Sequence, residues 1–407
     1  MRSTLRAVDT ALADPVGPRG ALNAEVYERI GSIPAGIWDA VADRGSVFLR
    51  HGYLLALEAA MGHTMDLRYV LFRDATAIPV GVAVLQFAEF EDNGGRHSGR
   101  ACGLGPFRER ERRERRLCAL VCGNVFHCGD HGAHFVAGIS RKAQFEAIDR
   151  AMARVIATAR LSRRVAVRVV KELWPTEEAA GRALGEIGYH ALATDVNMVL
   201  TIDPAWRDHP GYQDALTAKA RTRLRAILQR SSALEVKELD ADGIAANTGR
   251  IQQLLDAVVE RSPYVFGRLR AEAYADWKRF FQEAMVLNGY WLQGQLVGFS
   301  AAFVNGDRLD AQFVGLDHGY NQQHAIYLRM LVDLLGLAMD RGLRCVVYGR
   351  TSEQAKSGMG AVPVAMGVHV KLCGSVANIV AGAFIRTVKP ASFEQRFPFK
   401  RVHIVSR

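Results

Sequence analysis

The stretch Gly294–Asp317, GQLVGFSAAFVNGDRLDAQFVGLD, is dense in β-branched and aromatic residues and reads as two strands, LVGFSAAFVNG and RLDAQFVGLD. A third strand, NGYWLQG, leads into them. Upstream lie two helical patterns, RIQQLLDAVVE and AEAYADWKRFFQEAM. Downstream, Tyr327, Met330, Leu331, Leu334 and Ala338 fall at helical spacing and predict a long helix over Gln323–Arg341. The strand RCVVYG follows it. The stretch therefore anchors a unit of early helices, a central antiparallel sheet, one long helix and a returning strand.

The same order occurs once before. AEVYERI reads as a strand, PAGIWDAVADRG and FLRHGYLLALEAAMG as helices, and LRYVLFRD and IPVGVAVLQFAEF as strands. The helix RKAQFEAIDRAMARVIATARL, the buried strand RVAVRVV, the helix EEAAGRALGEIG and one long strand, YHALATDVNMVLTID, complete it. The second unit opens on a basic helix, Tyr212–Arg230, and the strand LEVKEL. These patterns predict an α/β (α+β) protein of two similar domains, at 22–203 and 204–385. They are flanked by a loose tail over 1–21, broken by Pro15, Gly17, Pro18 and Gly20, and by an extension over 386–407.

A chain of 407 residues exceeds the size at which single cores stop growing, so two domains also match its length. A hydrophobic fraction of 49% and a charged fraction of 23% are those of a globular chain. VANIVAGAFI, Val376–Ile385, is half of what a bilayer span needs and reads as core. With no continuous apolar leader, cytoplasmic residence is expected, and the six cysteines read as thiols. The net charge of +10 suggests an anionic partner: nucleic acid, a phosphorylated cofactor, an acidic carrier or a membrane surface. The run Phe107–Leu117, FRERERRERRL, mixes both signs and reads as a solvated surface.

GQLVGFSAAFVNGDRLDAQFVGLD, the following helix and GRTSEQAKSGMGA together resemble the second half of the tandem GNAT proteins related to the Fem peptidyltransferases, the FemAB-like group. The resemblance covers 286–363 best. It implies two GNAT-like domains in tandem and an acyl or aminoacyl transferase with the donor site in the second. In such a fold two central strands splay, and their bare amides polarise a carbonyl. LVGFSAAFV and RLDAQFVGL are the candidates for that pair, with Asp310 and Gln312 orienting substrate on the open strand. The resemblance further implies an N-acyltransferase acting on a small-molecule amine by direct attack. Its donor co-substrate is acyl-coenzyme A or acyl-carrier protein, or alternatively aminoacyl-tRNA, with no permanently bound cofactor, no metal and no DNA. A non-catalytic RNA- or carrier-binding module of the same fold is the reading from another class.

The donor turn of such proteins, Q/R-x-x-G-x-G/A, grips pyrophosphate with amides at a helix N-terminus. Here DHGYNQQHAIYL keeps Gly319 but lacks the second glycine. His318 and His324 bracket the loop as candidate bases, Asn321 is a candidate substrate contact, and Tyr327, one turn into the helix, is a candidate acid or a packing residue. In YGRTSEQAKSGMGA, Tyr348–Ala361, Lys356-Ser357 follows Ala355 rather than Gly, so no P-loop forms. Arg350, Thr351 and Lys356 instead stand at the end of a strand, where Arg350 and Lys356 can clamp an anion or stabilise an oxyanion. On the basic helix, Lys219 and Arg223 share one flank and Arg221 and Arg225 another, as carrier or nucleic-acid contacts or as solvated charge.

LCALVCGNVFHCGDHGAHF carries Cys118, Cys122, His127, Cys128, His131 and His134. The C-x3-C pair in an extended strand is too widely spaced to share a zinc ion, so these read as buried thiols and ordinary histidines. Asn124, Gly129 and His131 are placed at the border of the interdomain cleft. No G-x-S-x-G, H-E-x-x-H, Rossmann or EF-hand pattern is present.

Overall fold

A computed structural model of the chain describes residues 22–89, 91–92, 118–158, 165–193, 196–206, 208–261, 264–265, 267–385 and 393–400. The expected tail at 1–21, the charged run before Cys118 and much of the C-terminal extension lie outside the described residues. The first half runs β1 (Asn23–Tyr27), α1 (Ala35–Ala42), α2 (His51–Met61), β2 (Leu67–Arg73), β3 (Pro79–Glu89), β4 (Glu91–Asp92), β5 (Cys118–Cys122) and β6 (Ala133–Phe135). It continues with α3 (Arg141–Thr158), β7 (Val165–Leu173), α4 (Glu178–Glu186), β8 (His190–Leu192) and β9 (Asn197–Thr201).

The second half runs α5 (His209–Ala215), α6 (Ala218–Arg230), β10 (Glu235–Glu238), α7 (Ala241–Ala246), α8 (Thr248–Val259), β11 (Tyr264–Val265) and α9 (Glu272–Phe281). Then come β12 (Met285–Leu292), β13 (Gln295–Asn305), β14 (Arg308–Leu316), α10 (His318–His324) and α11 (Ile326–Asp340). The final elements are β15 (Cys345–Gly349), α12 (Glu353–Ser357), β16 (Val362–Val364), β17 (Gly367–Leu372) and α13 (Ser375–Ile385).

Two mostly antiparallel sheets result. The first has the order β1-β2-β3-β5-β7-β17-β8 with β6 on β3, and the second β10-β12-β13-β14-β15-β9-β16. Among these pairs β5/β7 and β14/β15 are parallel. The sheets do not divide the chain at residue 203. β9 inserts between β15 and β16 of the second sheet, and β17 inserts between β7 and β8 of the first. The segment expected to form one long strand, 189–203, is accordingly two strands in different sheets.

The expected basic helix over Tyr212–Arg230 is also two elements. It breaks at Leu216, which forms a β-bridge to Phe399, and restarts where the Thr217 hydroxyl caps the Ala220 amide. The described part of the C-terminal segment straps this break, and the Phe399 ring lies 5.0 Å from Trp206. The predicted Gln323–Arg341 helix begins at Ile326, after a left-handed Ala325 ends α10. Val376–Ile385 is not wholly core: α13 leaves Val376 78% and Ile379 76% exposed.

β13 is buried along almost its whole length because helices cover the second sheet. Gly315 makes one of these contacts close. A Cβ there would meet the Phe299 ring at 2.2 Å and the Leu254 backbone of α8 at 2.8 Å. The two units share one apolar core, with Trp38, Phe48 and Tyr53 from the first and Trp277, Phe299 and Phe303 from the second. Tyr53 and Trp277 stack at 4.8 Å, and the Trp277 indole donates to the Tyr53 carbonyl at 3.0 Å.

Candidate active site

The opening in the second sheet is not where the sequence suggested. β13 and β14 pair from Gly298/Leu316 to Asn305/Arg308, so LVGFSAAFV and RLDAQFVGL are zipped together. The strands that part are β14 and β15. They pair at Arg308/Cys345, Leu309/Val346 and Asp310/Val347, and β14 then continues to Leu316 without β15. At this point β14 bulges: Ser300 faces Val314 and Ala302 faces Ala311, leaving Gln312 and Phe313 opposite Ala301 alone. An extra residue kinks the strand and leaves backbone groups outside the ladder. In the first sheet the corresponding parallel pair stays joined from Cys118/Val165 to Cys122/Val170, and β7 is covered on its other edge by β17.

The loop joining β5 to β6 reaches across to this opening. Its backbone is fixed by Gln86, whose carboxamide oxygen accepts from the Val125 amide at 2.8 Å, and by Asn124, which accepts from the Phe126 amide at 3.0 Å. His127 Nε2 lies 2.8 Å from the Tyr53 hydroxyl and 3.1 Å from Gln312 Nε2. Burial holds the His127 imidazole well below its ordinary pKa, so the ring is neutral. His131, taken down to about 3 by burial, hydrogen-bonds Ser46 Oγ at 2.8 Å. Ser46 in turn neighbours Asn305, which donates to Asp310 Oδ2 at 2.6 Å. Burial pushes Asp310 up to about 6, against Arg308 and Asn305. A chain of side chains from both units thus ends where β14 and β15 separate.

Gly132 closes this loop against the backbone. A Cβ on it would meet the Cys122 carbonyl carbon and the Gly123 nitrogen at 2.8 Å. Gly132→Ala is expected to destabilise the protein by about 1–3 kcal/mol, because backbone cannot move aside as a side chain would. Urea unfolding measures it, and an unchanged midpoint would contradict the packing described.

Three charged groups meet at the other edge of the mouth. Glu172, fully buried at the end of β7, pairs with Arg350, lies 2.7 Å from the Lys171 ammonium and accepts from the Gly129 amide at 2.6 Å. Its backbone is left-handed, φ 59°. Across the cleft, Thr351 and Ser352 are also left-handed, φ 62° and 53°. Side-chain-bearing residues hold that conformation at roughly 1 kcal/mol or more each, so the strand-end loop stores strain beside the opening.

Lys356 is 4% exposed and donates to the carbonyls of Gly349 and Arg350. It fastens the loop from within. Burial lowers its pKa from 10.5 to about 8. Below pH 8 both folded and unfolded states carry the proton; between 8 and 10.5 the unfolded chain binds more, so stability rises with pH. The wild-type protein is expected to gain about 2 kcal/mol over a Lys356→Met variant across this window. Denaturant unfolding at pH 7.5 and 10 tests it.

Asp310 and Gln312 lie on β14 where β15 leaves it, and Lys356 is bonded to the carbonyls of Gly349 and Arg350 at the end of β15. Tyr327 faces Ser352 of the strand-end loop, and burial raises its phenol to about 12, so it keeps its proton at neutral pH. The histidines of the donor loop go elsewhere. His318 contacts the Ala257 carbonyl of α8 at 3.2 Å, and the His324 ring lies beside Tyr320. The Asn321 side-chain oxygen accepts from the Tyr327 amide at 2.9 Å, taking one of the free donors at the start of α11. On α6, Arg221 folds back to the Leu216 carbonyl, Arg223 lies beside Arg396 and Gly358, and Lys219 and Arg225 are exposed. Among the described residues no group of three or more His, Cys, Asp or Glu comes together to hold a metal.

Lys171, Glu172, His127 and Tyr53 were not singled out for this site by sequence. The available signal was the pair Lys171-Glu172 ending an otherwise apolar strand, together with the polar run after Cys122. Asn124, Gly129 and His131 are buried, where they bond Tyr53, Glu172 and Ser46.

No protein-family model and no curated protein sequence matches the chain. Among solved structures, FemX superposes with a TM-score of 0.50 at 12% identity, covering 88% of this chain and 100% of that one. The fold is a tandem GNAT fold of the Fem type. Looser overlaps occur with a tandem GNAT protein from the clavulanic acid biosynthesis pathway, with a TM-score of 0.45, 11% identity, and coverage of 87% and 99%. The C-terminal domain of a putative lysylphosphatidylglycerol synthetase from Agrobacterium fabrum gives a TM-score of 0.48, 7% identity, and coverage of 86% and 96%. In this tandem GNAT fold the open parallel pair belongs to the second unit, and the first unit supplies the loop and strand end that border it. No helix among the described residues is long and apolar enough to cross a membrane.

Proposed function

We propose that this tandem GNAT protein is an acyl or aminoacyl transferase, moving its group from an activated ester or thioester donor to an amine. The observation that carries this reading is the parting of β14 from β15 at the Gln312–Phe313 bulge. A donor carbonyl laid in the opening meets backbone amides where negative charge develops as the amine attacks. Attack is direct, and most of the acceleration comes from holding donor and acceptor together. Tyr327, protonated at neutral pH, gives its proton to the leaving group and regains one from the attacking amine as the amide forms. Arg350 clamps an anionic part of the substrate, Lys356 fixes the loop that presents it, and Asp310, Gln312 and Thr351 orient the reacting groups.

A donor held by a macromolecule, on an acyl-carrier protein or as aminoacyl-tRNA, fits better than free acyl-coenzyme A. The second glycine of the pyrophosphate turn is missing, Asn321 occupies the Tyr327 amide, and the Asp317 carboxylate caps α10. The exposed cations of α6, Lys219, Arg223 and Arg225, offer the electrostatic contact.

A second reading, a carrier- or RNA-binding module without chemistry, draws on the mutual pairing of Gln312 with His127 and of Arg350 with Glu172. Both are tested by incubating the protein with acyl-coenzyme A, loaded carrier and charged tRNA in the presence of an amine mixture, read by product mass. Transfer from a macromolecular donor is expected. Donor binding without consumption would favour the module. Affinity for charged tRNA should fall steeply between 50 and 200 mM salt, about tenfold or more, whereas a small cofactor would weaken less.

A further inference from the structure

A cavity of ≈ 500 Å³ opens beside the end of β7. Its walls are apolar: Leu173, Met366 and Ile385 are buried, and Trp174 and Leu192 are partly so. That volume and that lining are those of a small-molecule site. The rim is made of small exposed residues, Ala191, Ala193 and Ala365. Gly181 of α4 also lines the cavity, and a Cβ there would meet only the His369 ring, at 3.5 Å, an ordinary contact. Packing therefore does not demand glycine at this position, although glycine inside a helix is destabilising relative to alanine. What the missing side chain preserves is open volume.

Among the described residues no lysine or arginine lines the cavity, and its ionisable side chains are Glu177, Glu178 and the buried His369. Glu177 is held by Arg141 at 2.7 Å, and Glu178 is exposed to water, where a carboxylate discriminates weakly. No counter-charge for an anion is offered, so recognition is by apolar area. Met366 and the aliphatic walls adapt to a flexible chain. The cavity also lies where the polypeptide passes between the two sheets. Ala193 precedes the crossing from β8 to β9, and residues 365–367 join β16 to β17. A ligand seated there touches both crossings. We infer that this cavity binds the linear hydrocarbon chain of an uncharged molecule, such as a fatty alcohol or ester, with its tail against Leu173, Met366 and Ile385 and its head at the alanine rim. The inference goes beyond the transferase reading and does not depend on it.

Isothermal titration of the full chain with n-hexanol, n-octanol, 1,8-octanediol and octanoate, without donor, tests it. Octanol should bind roughly tenfold more tightly than hexanol, because two further methylenes leave water. The diol should bind at least about tenfold more weakly than octanol, since its second hydroxyl enters apolar surroundings. Octanoate should bind about threefold more weakly than octanol, the modest effect of like charge at an exposed rim. Bound octanol should also raise the thermal midpoint. Ala193→Trp and Ala365→Trp, at two exposed rim positions, should each abolish octanol binding and leave the ligand-free midpoint unaltered. Equal binding of hexanol and octanol, no binding, a diol as tight as octanol, or octanol binding that ignores a folded rim variant would overturn the inference. With an octanoyl-loaded carrier as donor, octanol that raises the donor KM would identify the chain as the donor's acyl group. Octanol that binds and leaves that KM unchanged would identify a separate neutral lipid. Chain binding as described with no transfer from any donor would remove the transferase reading alone.

Discussion

Replacing Glu172 by alanine is expected to lower the unfolding free energy by about 3–5 kcal/mol, the range for breaking a buried ion pair from one side. The fully buried carboxylate accepts the Gly129 amide and pairs with Arg350 and Lys171, so its loss leaves a guanidinium and an N–H without their partner, while Lys171, lowered to about 7 by burial, keeps the His127 carbonyl. Two further variants separate this from backbone effects. Because φ is 59° at this position, Glu172→Gly should be about 1 kcal/mol less destabilised than Glu172→Ala. Adding Arg350→Ala to Glu172→Ala should recover part of the loss, since the second change removes the stranded guanidinium. Chemical denaturation of the four proteins measures all three numbers. A loss below about 1 kcal/mol for Glu172→Ala would mean that the pair is not formed in solution.

Gln312→Ala is expected to reduce kcat/KM about 100-fold with little change in the unfolding midpoint. The carboxamide sits on the bulge of the open strand, is only partly buried, and is held toward the opening by His127, which Tyr53 holds in turn. Losing one well-placed group where charge develops typically lowers a rate by two orders of magnitude or more. Steady-state kinetics with the donor that the panel identifies provides the check. A variant as fast as wild type would show that the chemistry does not occur at the bulge.

The order of elements was legible because Gly294–Asp317 and the helix after it are strongly periodic and lie next to one another in the chain. Both sheets could be expected from that local pattern. The strand exchange could not. The apolar runs that become β9 and β17 look the same whichever sheet accepts them, and their partners are distant in sequence. The same cause misplaced the opening. A local reading pairs the two strands of Gly294–Asp317 with the site, whereas the strand that parts, β15, arrives only after the long helix.

The cations Arg350 and Lys356 were legible as residues at a strand end, but not their partners. Lys356 turns inward because two carbonyls of the strained loop need a donor, and Arg350 turns to a carboxylate supplied by the other unit. Glu172 itself carried little signal, since a charged residue at the end of an apolar strand ordinarily faces solvent.

The account depends on a carbonyl being held by the bare amides of β14. A structure of the protein with a hydrolysis-resistant acyl or aminoacyl donor analogue tests this most directly. The account predicts the acyl oxygen within about 3 Å of a backbone N–H among Ala311–Val314, beside the β15 end and with β14 and β15 still apart beyond Asp310/Val347. An acyl group seated on the first sheet, or a ligand-bound form in which β15 has paired along the rest of β14, would contradict it.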